Sequence, residues 1–206
     1  MVKNNDYLME NEKYFADMSF CVEKLKIIFN KLSVFNINIQ SKQWFQNIFE
    51  IYVPEANFFY SNCKKDDFEI KKFNNLWMRR DFKSFLSEVE KFIKFTVRAT
   101  LNVKSDIKFF RSINELDNII LKYKDLFNNK WIEQIKEIKQ NLHSWRELYN
   151  ENKHNEEKKD NSIFIDDKEK TISNLGNDVL EYVSDFVCNI MLPLLLTILK
   201  IKENES

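Results

Sequence analysis

Apolar residues recur at spacings of three and four over most of the chain, which is the signature of one buried face on a series of α-helices. Tyr14, Met18, Cys21, Val22, Leu25, Ile28 and Phe29 mark that face on a first helix, expected from about Asp6 to Leu32. The stretch VFNINIQ alternates briefly, but it is short and rich in asparagine, so a connection is expected there, with a strand as the lesser alternative. A second helix is expected from Gln43 to about Tyr60, capped by Ser41, with Trp44, Phe45, Ile48, Ile51 and Tyr52 as its apolar positions and a kink at Pro54. Asp66 and Glu69 match a capping box for a helix through Leu76. Asp81 is expected to cap the next helix, Phe82 to about Leu101, whose apolar face is Phe85, Val89, Phe92, Ile93 and Val97.

Ser112 and Glu115 match a second capping box, opening a helix through Phe127. After a break at Asn128 and Asn129, or through it, helical periodicity resumes at Lys130 and runs to about Lys153 through Ile135, Ile138, Leu142, Trp145, Leu148 and Tyr149. Residues 155–160 are wholly polar. SIFID and KTISN, flanking Asp167 to Glu169, then form the one credible β-hairpin, and a last helix is expected from Asp178 to about Ile201. The pattern predicts an all-α fold in a single domain over residues 1–206, with a short β-hairpin before the last helix.

Composition narrows the chemistry. The chain holds one glycine, Gly176, and two prolines, Pro54 and Pro193. That scarcity excludes Gly-rich phosphate loops, dinucleotide-binding turns and the frequent tight turns of a β-sandwich. Turns and helix ends must instead come from Asn, Asp and Ser. Lysine plus arginine balance aspartate plus glutamate at 32 each, so no broad basic field exists and any nucleic-acid contact must be local. Cys21, Cys63 and Cys188 form no paired motif and read as thiols in a reducing, cytoplasmic setting. No secretory leader is expected from the opening residues, and the apolar tract Val187 to Leu199 falls short of the ~20 residues a bilayer span needs, so no membrane partner is expected.

The candidate chemistry gathers in LHSWRELYNENKHN, residues 142–155, which holds both histidines of the protein. At ~100° per residue, His143, Arg146, Glu147, Asn150 and His154 share one polar face, with Arg146 near its apolar boundary. This face reads in two ways: as the solvated side of an amphipathic helix, or as a phosphodiester-cleaving surface. In the second reading a histidine moves a proton near neutral pH, an arginine clamps phosphate oxygens, and Asn150 orients the imidazole or a ribose hydroxyl. No metal-ligand pattern such as His-Glu-x-x-His accompanies the histidines, and no metal or cofactor is expected. A weaker candidate surface combines Arg79 and Arg80 with Phe73, Trp77, Lys71, Lys72 and Lys83, as a single-strand stacking platform or simply a solvated helix edge.

RELYNENKH, Arg146 to His154, near the end of a long helix in an all-helical chain, resembles the Arg-polar-x-His signature of HEPN domains. Tyr149, Asn150, Lys153 and His154 also resemble a Tyr-Asn-x-x-Lys-His segment that ends the penultimate helix in certain bacterial members. Seven residues separate Arg146 from His154 here, and Glu147 takes the polar position after the arginine. For this chain the resemblance implies an up-and-down bundle of four to six helices. It further implies a homodimer whose motif helices meet, and a metal-independent endoribonuclease site of Arg146, Asn150 and His154 with Tyr149 and Lys153 on the RNA. A toxin-antitoxin or phage-defence setting, with an antitoxin or other partner protein, is implied as well. Two other classes stay open: a non-catalytic helical dimerisation module, and a nucleotide-binding helical subunit of a partner enzyme.

Overall fold

A computed structural model describes residues 2–103, 108–155, 162–165, 168–171 and 179–206, and the side-chain surroundings of residues 8–103, 108–150 and 179–206. Among the described residues the fold is all-α. Its seven helices are α1 (Val2–Val34), α2 (43–63), α3 (Ile70–Arg80), α4 (Phe82–Leu101), α5 (Phe109–Tyr123), α6 (Asn129–Asn155) and α7 (Val179–Glu205). The hairpin expected from SIFID and KTISN falls partly outside the described residues. The backbone there shows only the segments Ser162–Ile165 and Lys168–Thr171 paired antiparallel. Gly176 also lies outside the described residues.

With so little glycine, the left-handed positions that end helices fall to asparagine, whose short polar side chain tolerates them. Asn36 has φ 59° and Asn102 has φ 56°. After α1 the Asn36 N–H donates to Ser33 O and the Ile37 N–H to Leu32 O, the paired bonds of a Schellman motif with Ile37 packed back on the core. The VFNINIQ stretch is therefore a connection: its alternation buries Ile39 without forming a strand.

Both prolines follow a wide turn. In α2 the segment Ile48–Tyr52 is a π-turn, and the Val53 N–H reaches back to Ile48 O. In α7 the segment Phe186–Met191 is a π-turn, and the Leu192 N–H reaches Val187 O. Pro54 and Pro193 come one residue later. Each ring lacks an N–H and crowds the carbonyl four residues back, so a locally widened turn relieves both problems within a continuous helix.

Several expected caps are not formed. Helix α5 opens at Phe109, three residues before Ser112, because Phe109 is buried and extends the apolar face. Ser112 is consequently interior and returns its hydroxyl to Lys108 O. Glu115 instead pairs with Arg111. Glu69, not Asp66, stands at the start of α3, and Lys42, not Ser41, at the start of α2; neither makes a side-chain cap. The Asp81 carboxylate is taken by Arg80 at 2.8–3.0 Å. Helix α5 ends at Tyr123, followed by a 3-10 turn, Lys124–Leu126. The break at Asn128 does hold, and there the side chain is a true cap, its Oδ1 accepting the Trp131 N–H at 3.1 Å.

The core is an aromatic lattice around α4. Phe85, fully buried, has rings from four other helices around it: Tyr52 of α2, Trp77 of α3, Trp145 of α6 and Phe186 of α7, at 5.2–6.0 Å between centroids. Phe92, two turns further along the same face, meets Trp44 and Phe186. Two polar groups inside tie elements together: Tyr123 Oη donates to Thr100 O at 2.6 Å, and Ser184 Oγ donates to Tyr14 O at 3.0 Å, linking α7 to α1. Helix α7 runs well past the Val187 to Leu199 tract. By length and composition it could cross a bilayer, yet 72% of its most apolar window is buried inside this fold.

Phe186→Ala should lower stability by about 3–5 kcal/mol in urea unfolding, since it opens a cavity between Phe85 and Phe92. Leu196→Ala, on the exposed side of the same helix, should change stability by no more than about 0.5 kcal/mol. Equal effects would contradict the inward and outward assignment of α7.

Candidate functional site

The residues singled out from sequence lie on α6, and two tryptophans set how that helix sits. Trp131 stacks on Phe127 at 3.8 Å between centroids, and its Nε1 donates to Thr197 Oγ1 at 2.9 Å. Four turns on, Trp145 packs against Phe85 at 6.0 Å and Tyr182 at 5.6 Å. Between them Ile135, Ile138 and Leu142 are fully buried, so the helix is fixed in rotation as well as in position. Arg146 follows Trp145 and is carried round to the edge facing α5.

There the Arg146 guanidinium lies over two rings, 4.7 Å from the Tyr149 centroid and 5.7 Å from that of Phe109. Stacking of this kind holds the plane of the guanidinium and leaves its N–H edges to find acceptors. Its Nε is buried and has no hydrogen-bond partner, and among the described residues no carboxylate pairs with it. A buried polar group without an acceptor costs about 1–3 kcal/mol. An anionic acceptor brought from outside, such as a phosphate oxygen, would remove that cost.

Asn150, half-buried, lies one helical turn beyond Arg146, and Glu147 is exposed. His143 is half-buried with its ring 5.1 Å from that of Phe110, one turn before Arg146. Tyr149 is engaged with Arg146 rather than standing apart from it. The α6 backbone continues to Asn155, so Lys153 and His154 belong to the same helix, while their side chains lie outside the described residues. Phe109 is the participant that sequence reasoning missed. Nothing local marks it, because it lies 37 positions before Arg146 and ahead of the expected helix start.

The basic aromatic stretch on α3 is built differently from a stacking platform. Trp77 is buried and donates Nε1 to Glu55 at 2.9 Å, and Phe73 packs against Phe58, Phe59 and Phe68. Arg80 is held by Asp81 and Lys72 by Glu69. The aromatics that would stack on bases are committed to the core.

On the far side of Trp145 a cleft of about 520 Å³ opens between α1 and α7, lined in part by Lys13, Asp17, Tyr182, Asp185 and Cys188, and Arg146 does not line it. Burial pushes the Asp185 carboxyl up, against a 2.7 Å hydrogen bond donated by Asn189, with Glu137 adding to the rise. Burial also raises the thiols of Cys21 and Cys188, which keeps both protonated and unreactive at neutral pH. All three cysteines are free thiols. Among the described residues no group of three or more His, Cys, Asp or Glu could hold a metal ion.

Comparison of the chain with protein-family models, with curated proteins and with solved structures finds no match.

The raised Asp185 pKa has a definite sign in stability. The fold favours the protonated acid, so the ionised form is a cost that is absent below the usual aspartate range and complete above the raised value. Asp185→Asn keeps an acceptor for Asn189 and should be more stable than wild type at neutral pH, with the advantage shrinking as pH falls towards about 4. Urea unfolding of both proteins across pH measures this, and a pH-independent difference would contradict it.

Proposed function

We propose that the chain is a homodimeric, HEPN-like helical protein that cuts RNA without a metal. Arg146 holds the scissile phosphate, Asn150 orients the reacting groups, and His154 moves the proton. What supports this reading is the arginine: a guanidinium stacked on Tyr149 and Phe109, with a buried Nε that lacks an acceptor. Asn150 and His154 follow at successive turns of the same helix. In the reaction a base takes the 2'-hydroxyl proton and the 2'-oxygen attacks the adjacent phosphorus. The bond to the 5'-oxygen breaks, that oxygen takes a proton, and a cyclic phosphate remains. The arginine offsets the charge that builds on the phosphorane oxygens. Tyr149 and Lys153 lie beside the RNA.

The same proposal includes an up-and-down arrangement of the helices with the short hairpin before α7, a cytoplasmic location, and a toxin-antitoxin or phage-defence setting with a partner protein. A second reading, a helical interaction module without catalysis, draws on a specific observation. The guanidinium is half-buried over the rings of Phe109 and Tyr149, and the Ser162–Ile165 segment runs beside α6.

His154→Ala should abolish cleavage of a single-stranded RNA, and Arg146→Lys should lower it roughly 10- to 100-fold, because an ammonium keeps the charge and loses the planar fork. His143→Ala should cut near the wild-type rate. Activity should persist in EDTA, require a 2'-hydroxyl and leave cyclic-phosphate ends. Wild-type cleavage by His154→Ala, or a reaction stopped by EDTA, would replace this reading with the interaction module.

A further inference from the structure

Helix α1 carries two apolar faces. The inward face, including Met18, Leu25, Phe29 and Leu32, is buried and packs on α7 and α2. On the opposite side Met9, Phe20, Ile27 and Val34 are 69%, 61%, 54% and 77% exposed, and Ala16 between them is exposed as well. At ~100° per residue these five positions fall within a sector of roughly 40°. Phe20, Ile27 and Val34 repeat every seventh residue, the spacing by which two helices pair along a seam. A stripe of this length on one helix differs from the single exposed apolar residues that any protein surface carries.

The charges beside the stripe identify what covers it. We infer that α1 is the surface through which two copies of this chain meet, antiparallel about a two-fold axis that passes midway between Cys21 and Val22. Along the seam Met9 then faces Val34 of the second copy, and Ala16 faces Ile27. On one flank Glu10 faces Lys31 and Asp17 faces Lys24 of the second copy, and the two-fold axis repeats both pairs. The other flank sets Glu12 against Ser33 and Ser19 against Lys26, so no like charges meet on either side. Glu10, Asp17, Lys24 and Lys31 are exposed and, among the described residues, make no ion pair within their own chain. A parallel pairing along the same seam would instead place Glu12 against Asp17 and Lys26 against Lys31, which is repulsive at both points.

The polar residues of the seam set its strength. Lys13 faces Asn30 and Phe20 faces Glu23 of the second copy, which lowers affinity and fixes the register. From Met9 to Val34 the seam is about 39 Å long. At about 10 Å wide it buries on the order of 800 Å² over both copies, less than the ~1,200–2,000 Å² of tight complexes. The dimer is therefore a weak, concentration-dependent one. The α1 seam is a different face from the motif helix, since Arg146 lies against Phe109 and Tyr149, on α5 and α6. The inference needs none of the RNA-cleavage chemistry and holds equally for an interaction module.

Sedimentation of the full chain over a micromolar concentration series tests it. Wild type should approach twice the 25.0 kDa chain mass. Ile27→Glu should stay monomeric with its helical circular dichroism unchanged. Asp17→Lys should raise the dimer dissociation constant about ten-fold or more by setting like charges against each other, and Asp17→Lys with Lys24→Asp should restore it. His154→Ala should assemble as wild type does. A monomeric wild type, a dimeric Ile27→Glu, or a double charge swap no tighter than Asp17→Lys would each overturn the inference. A dimer dissolved by His154→Ala and kept by Ile27→Glu would place the contact on the motif helix instead.

Discussion

Everything in this fold leans on the ring of Phe85. It sits without exposure at the centre of the molecule, with Tyr52, Trp77, Trp145 and Phe186 around it, one from each of four other helices. Aromatic rings suit this task because each buries a large apolar area and pairs edge-to-face or tilted with defined geometry. A chain with 19 phenylalanines and a single glycine has little else with which to specify how helices cross. The lattice supplies the specificity that tight turns supply elsewhere.

The candidate site inherits its geometry from that lattice. Because Trp145 is trapped between Phe85 and Tyr182, α6 cannot rotate, and its next residue must approach α5. Phe109 is waiting there, buried at the start of α5, so the guanidinium of Arg146 lies over its ring as well as over that of Tyr149. The result is a cation whose aim is fixed by packing while its Nε keeps an unmet hydrogen bond. A side chain held this firmly loses little entropy on meeting an anion, which is the condition under which an arginine contributes most to binding.

Helix interiors were legible in the sequence because burial repeats with the helical period: Ile135, Ile138, Leu142 and Trp145 read correctly for that reason. Helix ends were less so. Ser112 and Glu115 satisfy the local pattern of a capping box, but the gain from burying Phe109 moves the start of α5 ahead of them. Asp81 has the chemistry of a cap and spends its carboxylate on Arg80. The π-turns were not foreseen, although each proline marks one. At the site, Arg146, Asn150 and the polar face could be found by spacing alone, whereas the Phe109 contact joins distant segments and no local signal reveals it. The outer stripe of α1 was present in the seven-residue repeat of Phe20, Ile27 and Val34, overshadowed by the denser inward stripe that shares the helix.

The central claim is that Arg146 is a pre-aimed phosphate clamp. Side-chain NMR of ¹⁵N-arginine-labelled protein, titrated with a 2'-O-methyl RNA oligonucleotide that can bind but cannot be cut, examines it directly. The account predicts that the Arg146 Nε–Hε resonance, assigned through Arg146→Lys, shifts and saturates with the RNA as the buried N–H gains its acceptor. An Nε–Hε signal that stays in place while the RNA binds elsewhere on the protein would contradict it.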